Sequence, residues 1–158
     1  MTKAEHPGVR KVTEALAAAG ATGEVVELTA EVRTAALAAA ALGVEVGAIA
    51  NSLVFDAAGE PLLVLTSGAH RVDTAKVAAL LGIAALDRAT PEFVRAATGQ
   101  PIGGVAPLGH PAPLRTLVDV LLADHDVVWA SAGVPHSVFS TTYEELVRIT
   151  GGTAAEVG

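Results

Sequence analysis

Cysteine is absent from the sequence, which removes disulfides, thiolate zinc sites and a cysteine nucleophile and fits a reducing compartment. Aromatic residues are almost as scarce at 3%, so Ala, Val, Leu and Ile must fill the core and few side chains can serve as stacking platforms. Long apolar runs are missing as well. No stretch approaches the ~20 residues that cross a bilayer, and Met1 to His6 lacks the apolar core of a secretory leader, so a cytoplasmic protein without a membrane partner is expected. Positive charge is sparse: Lys3, Lys11 and Lys76 are the only lysines, and the formal net charge is −7. That balance argues against binding along a phosphate backbone, DNA included, because such affinity comes from Lys and Arg displacing counterions. Contact with a single terminal nucleotide stays open.

What remains is 158 residues, 51% of them hydrophobic, the size of one domain with one core and no linker or repeat. Val9, Val12, Leu16 and Ala19 recur at helical spacing between Pro7 and Gly20. A short strand is expected over 24–28, then a helix capped by Thr29 and ended by Gly43. The apolar runs 49–55 and 61–66 flank Asp56-Ala57-Ala58-Gly59 and predict a hairpin with a four- or five-residue loop. Helices should begin at Asp73 and at Thr90-Pro91, and a last one at the capping box Thr142-Tyr143-Glu144-Glu145, running to Thr150. Strands are expected over 114–118, 127–132 and 137–140, with a short helix after Asp119 and a frayed tail after Gly152. Strands and helices interleave without a βαβ rhythm, which predicts an α+β fold on a mixed sheet.

The chemistry centres on Ile102-Gly103-Gly104-Val105-Ala106-Pro107-Leu108-Gly109-His110. No Gly-Lys-Ser/Thr follows, and the segment does not join a strand to a helix, so phosphate-loop and dinucleotide readings fail. It is either a backbone cradle for a carbonyl or hydroxyl oxygen, or a structural corner. His6, His70, His110, His125 and His136 have no metal-pair spacing, so no metal or cofactor is expected; His6 and His125 read as surface residues. His110 and His136 each adjoin a Gly/Pro turn, compatible with a functional role or with bonding to loop carbonyls. No serine lies in a Gly-x-Ser-x-Gly elbow. Asn51, the only asparagine, sits beside Ser52 in an apolar strand, as a hydrogen-bond hub or a ligand contact. In His70-Arg71-Val72-Asp73 the favoured reading of Asp73 is a helix N-cap. Trp129 and Phe139 are expected to face each other across the Gly133 turn as core.

Four ordered motifs carry a resemblance: Ile49-Ala50-Asn51-Ser52-Leu53-Val54-Phe55; Leu65-Thr66-Ser67-Gly68 with Arg71-Val72-Asp73; Thr98-Gly99 with the glycine segment; and Trp129-Ala130-Ser131-Ala132-Gly133. Over roughly Val25 to Gly152 the chain resembles the YbaK/EbsC family, related to the editing domain inserted in bacterial prolyl-tRNA synthetases. The resemblance implies a mixed, curled, barrel-like sheet surrounded by helices, and a free-standing aminoacyl-tRNA deacylase acting by a substrate-assisted route, without a side-chain nucleophile. It implies that Gly103, Gly104 and Pro107 line the aminoacyl pocket together with Asn51, and that Ser52, Ser67, His70, Asp73, His110, Ser131, Gly133 and His136 contact substrate. The implied partners are the aminoacyl-tRNA 3′ end, commonly of tRNA for proline, and a synthetase. One departure stands out: many members place a lysine where this chain has Asn51, exchanging a charge for an amide. A binding module that has lost turnover is therefore the second reading.

Overall fold

A computed structural model describes residues 7–29 and 34–158. Helix α1 (Pro7–Ala18) buries Val9, Val12 and Leu16, the face predicted by their spacing. Strand β1 (Val25–Glu27) follows, then α2 (Ala35–Leu42) and a 3₁₀ turn (Val46–Ala48). Strands β2 (Ile49–Ala57) and β3 (Glu60–Ser67) form the hairpin. Next come α3 (Thr74–Leu81), β4 (Leu86–Arg88), α4 (Pro91–Thr98) and β5 (Arg115–Asp119). A second 3₁₀ turn (Val120–Asp124) leads into β6 (Val128–Ser131), β7 (Ser137–Thr141), α5 (Tyr143–Thr150) and β8 (Thr153–Ala155).

The strands make one mixed eight-stranded sheet in the order β1-β7-β6-β2-β3-β5-β8, with β4 added to β2. Pairs β2/β6, β3/β5 and β5/β8 are parallel and the others antiparallel, which is the mixed α+β architecture expected. Strand β3 explains why helices cover both faces. Leu63 and Leu65 point to a core shared with Val12 and Leu16 of α1, Val94 of α4 and Leu146 of α5, whereas Leu62 and Val64 point to a second core with Val77 and Ala78 of α3. All four leucine and valine side chains are fully buried, at roughly 1.5–3 kcal/mol each.

The pairing of β2 positions the site. Ala50 pairs with Ser67 of β3 and with Ala130 of β6, so β3 and β6 lie on opposite edges of β2. Phe55 to Ala57 pair with β3 and with β4, so β4 shares the edge used by β6. Register with β6 ends at Ala50 and register with β4 begins at Phe55. Between them, residues 51–54 have no strand on that edge among the described residues.

Several expectations are corrected. The cap of α2 is Thr34, whose side chain accepts from Leu37 N–H; Thr29 is not the cap, and 30–33 lie outside the described residues, as does His6. The β2–β3 turn is two residues, because pairing continues to Ala57↔Glu60, and Ala58 (φ 55°) and Gly59 (φ 94°) both adopt the left-handed conformations of a tight hairpin turn. Trp129 and Phe139 do not face each other: Trp129 pairs with Ser140, and Phe139 opposite Ala130 joins a different core from Trp129. The tail is not frayed at 153–155, where β8 pairs with β5, and Val157 is fully buried. His125 is half-buried rather than a surface residue. The capping box is half made. Thr142 Oγ1 accepts from Glu145 N–H, but the Glu145 carboxylate accepts instead from Thr141 Oγ1 (2.7 Å) and from Thr22 N–H and Oγ1–H.

Candidate functional site

The break in pairing along β2 opens a cleft of about 350 Å³ walled by β2 from Asn51 to Phe55, by Thr34 and Ala35 at the start of α2, by Arg88 and Ala89 after β4, by Val94, and by Ile102, Gly103 and Val105 of the glycine segment. A narrower extension joins Asn51 and Gly103 to Trp129, Ser131 and Val138. Asn51, Gly103, Thr34 and Ala35 line both parts. Arg88 is the one charged side chain on these walls among the described residues, and it is exposed.

The glycine segment is held rigidly from behind. Thr98 Oγ1 donates to the Val94 carbonyl at 2.7 Å and accepts from Gln100 N–H, locking the end of α4. Gln100, 3% exposed, accepts the Ala106 N–H on Oε1 at 2.7 Å. The Ala106 carbonyl in turn accepts the His110 Nε2–H at 2.8 Å, a role that assigns the proton to that nitrogen because a carbonyl only accepts. Burial holds the His110 imidazole below its ordinary pKa, with the Ala106 carbonyl opposing that shift. Gly104 N–H donates to the Pro101 carbonyl. A Cβ at Gly104 would lie 2.7–2.9 Å from the Val134–Pro135 backbone, so the chain passes there with no room for a side chain. Gly103 takes φ 89°, open to glycine and costly for other residues. The amides of 104 and 106 are engaged and 101 and 107 are proline, whereas Gly103 and Val105, which line the cleft, carry amides with no hydrogen bond among the described residues.

Of the residues singled out in the sequence, the structure brings together Asn51, Ser52, Gly103 and Ser131. Pro107 and His110 line a separate depression behind the segment, with Leu114 and Thr150. Gly133 is buried against Gly8 and Val12. His136 Nε2 lies 3.5 Å from a Glu27 carboxylate oxygen, in the turn between β6 and β7. Asp73 caps α3 by accepting Lys76 N–H.

Ser67 and His70 belong to a network around Asp119, which is fully buried. One Asp119 carboxylate oxygen accepts Ser67 N–H (2.9 Å), His70 Nδ1–H (2.9 Å) and Thr66 Oγ1–H (3.3 Å), and the other accepts Leu121 N–H. Ser67 Oγ donates to the Gly47 carbonyl and accepts from Ala69 N–H, so its hydroxyl is committed to ordering the exit of β3 and is not directed at His70.

Sequence reasoning missed Gln100, Arg88 and Asp119. Asp119 had a readable signal, an acidic residue ending an apolar strand; Gln100 adjoins the segment but nothing in the sequence turns its side chain back to Ala106, and only the fold carries Arg88 to the cleft.

The model of the aminoacyl-tRNA editing domain matches residues 29–149. A proline–tRNA ligase of Nitratidesulfovibrio vulgaris (strain DP4) is 38% identical over 88 residues, 56% of this chain but 15% of the ligase, so the chain spans only a small part of that relative. The uncharacterized protein YwhH of Bacillus subtilis (strain 168) is 31% identical over 124 residues, 78% of each. A crystal structure described as a candidate trans-editing enzyme for prolyl-tRNA synthetase superposes with a TM-score of 0.90, at 44% identity over 96% of both chains.

Proposed function

Because this chain belongs to the aminoacyl-tRNA editing domain family, we propose that it is a free-standing deacylase that cleaves the ester between a small, wrongly attached amino acid and the 3′ end of tRNA for proline. The observation that carries this reading is the convergence of Asn51 with the free amides of Gly103 and Val105 on one cleft at the broken edge of β2. In the reaction, water adds to the ester carbonyl. The acyl C–O bond breaks, the ribose oxygen leaves with a proton, and the amino acid departs as its carboxylate. Charge builds on the carbonyl oxygen during addition, and Gly103 and Val105 N–H are the donors that receive it; removal of one such donor costs about 10²–10³ in rate.

Among the described residues no serine of the cleft is hydrogen-bonded to a histidine or a carboxylate, which fits a route in which a ribose hydroxyl of the terminal adenosine or a held water performs the proton transfer. The apolar walls at Val54, Val94 and Val105 suit a small aliphatic side chain. Arg88, exposed on the cleft wall, is assigned in this reading to the nucleic-acid backbone next to the ester, and supplies in this cleft a charge that Asn51 does not.

Deacylation of tRNAs carrying Ala, Ser, Cys or Pro is the direct test: hydrolysis of one small residue above the uncatalysed rate is expected, and none for any would sink the enzymatic reading. The second reading, a module that binds aminoacyl ends or a synthetase without turnover, is favoured by Asn51 alone. Asn51→Lys separates the two. A gain of activity from an inert wild type indicates lapsed catalysis, whereas a loss from an active one gives Asn51 its own part in the reaction.

A further inference from the structure

The main-chain directions along β2 are fixed by one bond. Ile49 C=O accepts Gly68 N–H at 2.9 Å, so the polar groups of Ile49 face β3. Alternation along a strand then turns those of residues 51, 53 and 55 towards β3 as well, and those of 50, 52, 54 and 56 towards the opposite edge. Ala50 meets β6 there and Asp56 meets β4. Ser52 lies between them, beyond the end of the β6 register and short of the start of the β4 register, and none of the turn and loop hydrogen bonds among the described residues reaches its main chain. Its hydroxyl is in the same position: Ser52 Oγ is buried with no hydrogen-bond partner. Ser52, a cleft-wall residue, thus turns its main-chain N–H and C=O to the open edge of β2, while its hydroxyl is buried without a partner. Main-chain polar groups in folded proteins are overwhelmingly satisfied, so an unpaired N–H and C=O on a cleft wall mark a place where a ligand can complete them.

In an antiparallel sheet, two residues that face each other as a hydrogen-bonded pair exchange N–H···O bonds in both directions. An α-aminoacyl group has the same parts in the same order: a nitrogen donor, one α-carbon and a carbonyl acceptor. Resting on the deacylase reading above, we propose that Ser52 receives the aminoacyl group of the substrate as a one-residue strand. Its C=O accepts from the α-ammonium and its N–H donates to the acyl oxygen. Paired residues project their side chains to the same face. The substrate's side chain is therefore directed to the face of Ala50, Ser52 and Val54, where Val94 and Val105 limit its size. The ligand class selected is a small acyl group bearing a free α-amino group.

The probe is 3′-deoxy-3′-(L-alanylamino)adenosine, which the protein cannot hydrolyse as an ester, compared with its propionyl counterpart that lacks the amino group. Titration of nitrogen-15-labelled protein should move the Ser52 amide resonance, and the alanyl compound should bind at least about tenfold more tightly than the propionyl one, the worth of a hydrogen bond to a charged group. Ser52→Pro deletes the N–H without breaking a bond to β3 and should weaken both compounds by about tenfold or more. If Ser52→Pro fails to fold, the wild-type titration decides. Equal affinities with an unmoved Ser52 amide overturn the proposal, even in a protein that deacylates. Alanyl preference with a moved Ser52 amide, in a protein that does not deacylate, sustains the site and refutes the hydrolase.

Discussion

A methyl group at Gly104 would meet the Val134 carbonyl carbon at 2.7 Å and its Cα at 2.8 Å, and backbone cannot turn aside as a side chain can. Gly104→Ala should therefore displace the segment from the turn at Val134–Pro135, lowering Tm by several degrees and deacylation by about tenfold or more, read by thermal melts and initial rates. Gln100→Leu leaves the Ala106 N–H buried without an acceptor, at about 1–3 kcal/mol; kcat should fall with KM little changed, because the donors shift while the walls stay. His110 gives a pH signature. Its folded-state pKa lies below the unfolded value of about 6.5, so as pH drops through that value the unfolded chain takes up the proton first and stability declines until the folded-state pKa is reached. Above about 6.5 the term vanishes. Gln at position 110 keeps a donor for Ala106 but does not titrate, so His110→Gln should lose less Tm than wild type between about pH 7 and 5. At this scale the sequence was legible where chemistry is local, as with the glycine segment and the Asp73 cap. It was silent on Gln100, whose partner lies across a loop closed only in three dimensions.

Elements with local punctuation were the legible ones. Thr90 before Pro91 and Thr142 before Glu145 mark helix starts that any fold would respect, and their side chains accept the expected N–H groups. Thr29 misled because Thr34, equally able to cap, lies five residues on, and the choice between them is made by packing against β2 and β7. The strands β4 and β8 have three residues each, too short for an alternation signal, and exist because β2 and β5 offer edges to them. In the β2–β3 hairpin an alanine occupies a left-handed position, which costs an L-residue about 1 kcal/mol. Ala58→Asn, better tolerated there, should raise stability by about 0.5 kcal/mol in denaturant titrations with no change in the denaturant m-value.

For the molecule as a whole, charge and topology set the terms. A chain of net charge −7 that presents one cation to its cleft gains little from counterion release. The slope of log Kobs against log salt for an aminoacyl-tRNA end should be shallow, about −1, and Arg88→Ala should flatten it further. A slope several times steeper would show a phosphate-binding surface elsewhere. The fold class was readable because hairpins and helices interleave irregularly. The break in β2 pairing was not, since it is produced by two partners, β4 and β6, that approach one edge from sequence positions on either side of the glycine segment.

The pairing of Val25 with Phe139 has a temporal meaning. During synthesis β1 leaves the ribosome more than a hundred residues before β7, its one partner strand among the described residues, so it is among the first elements made and the last to be placed. The β2–β3 hairpin, whose contacts are local, can form early, but the sheet cannot be closed at the β1 end until β7 has emerged. A nascent chain stalled after β3 would carry a finished hairpin and an unpaired β1, and refolding of the whole protein should be governed by that long-range closure.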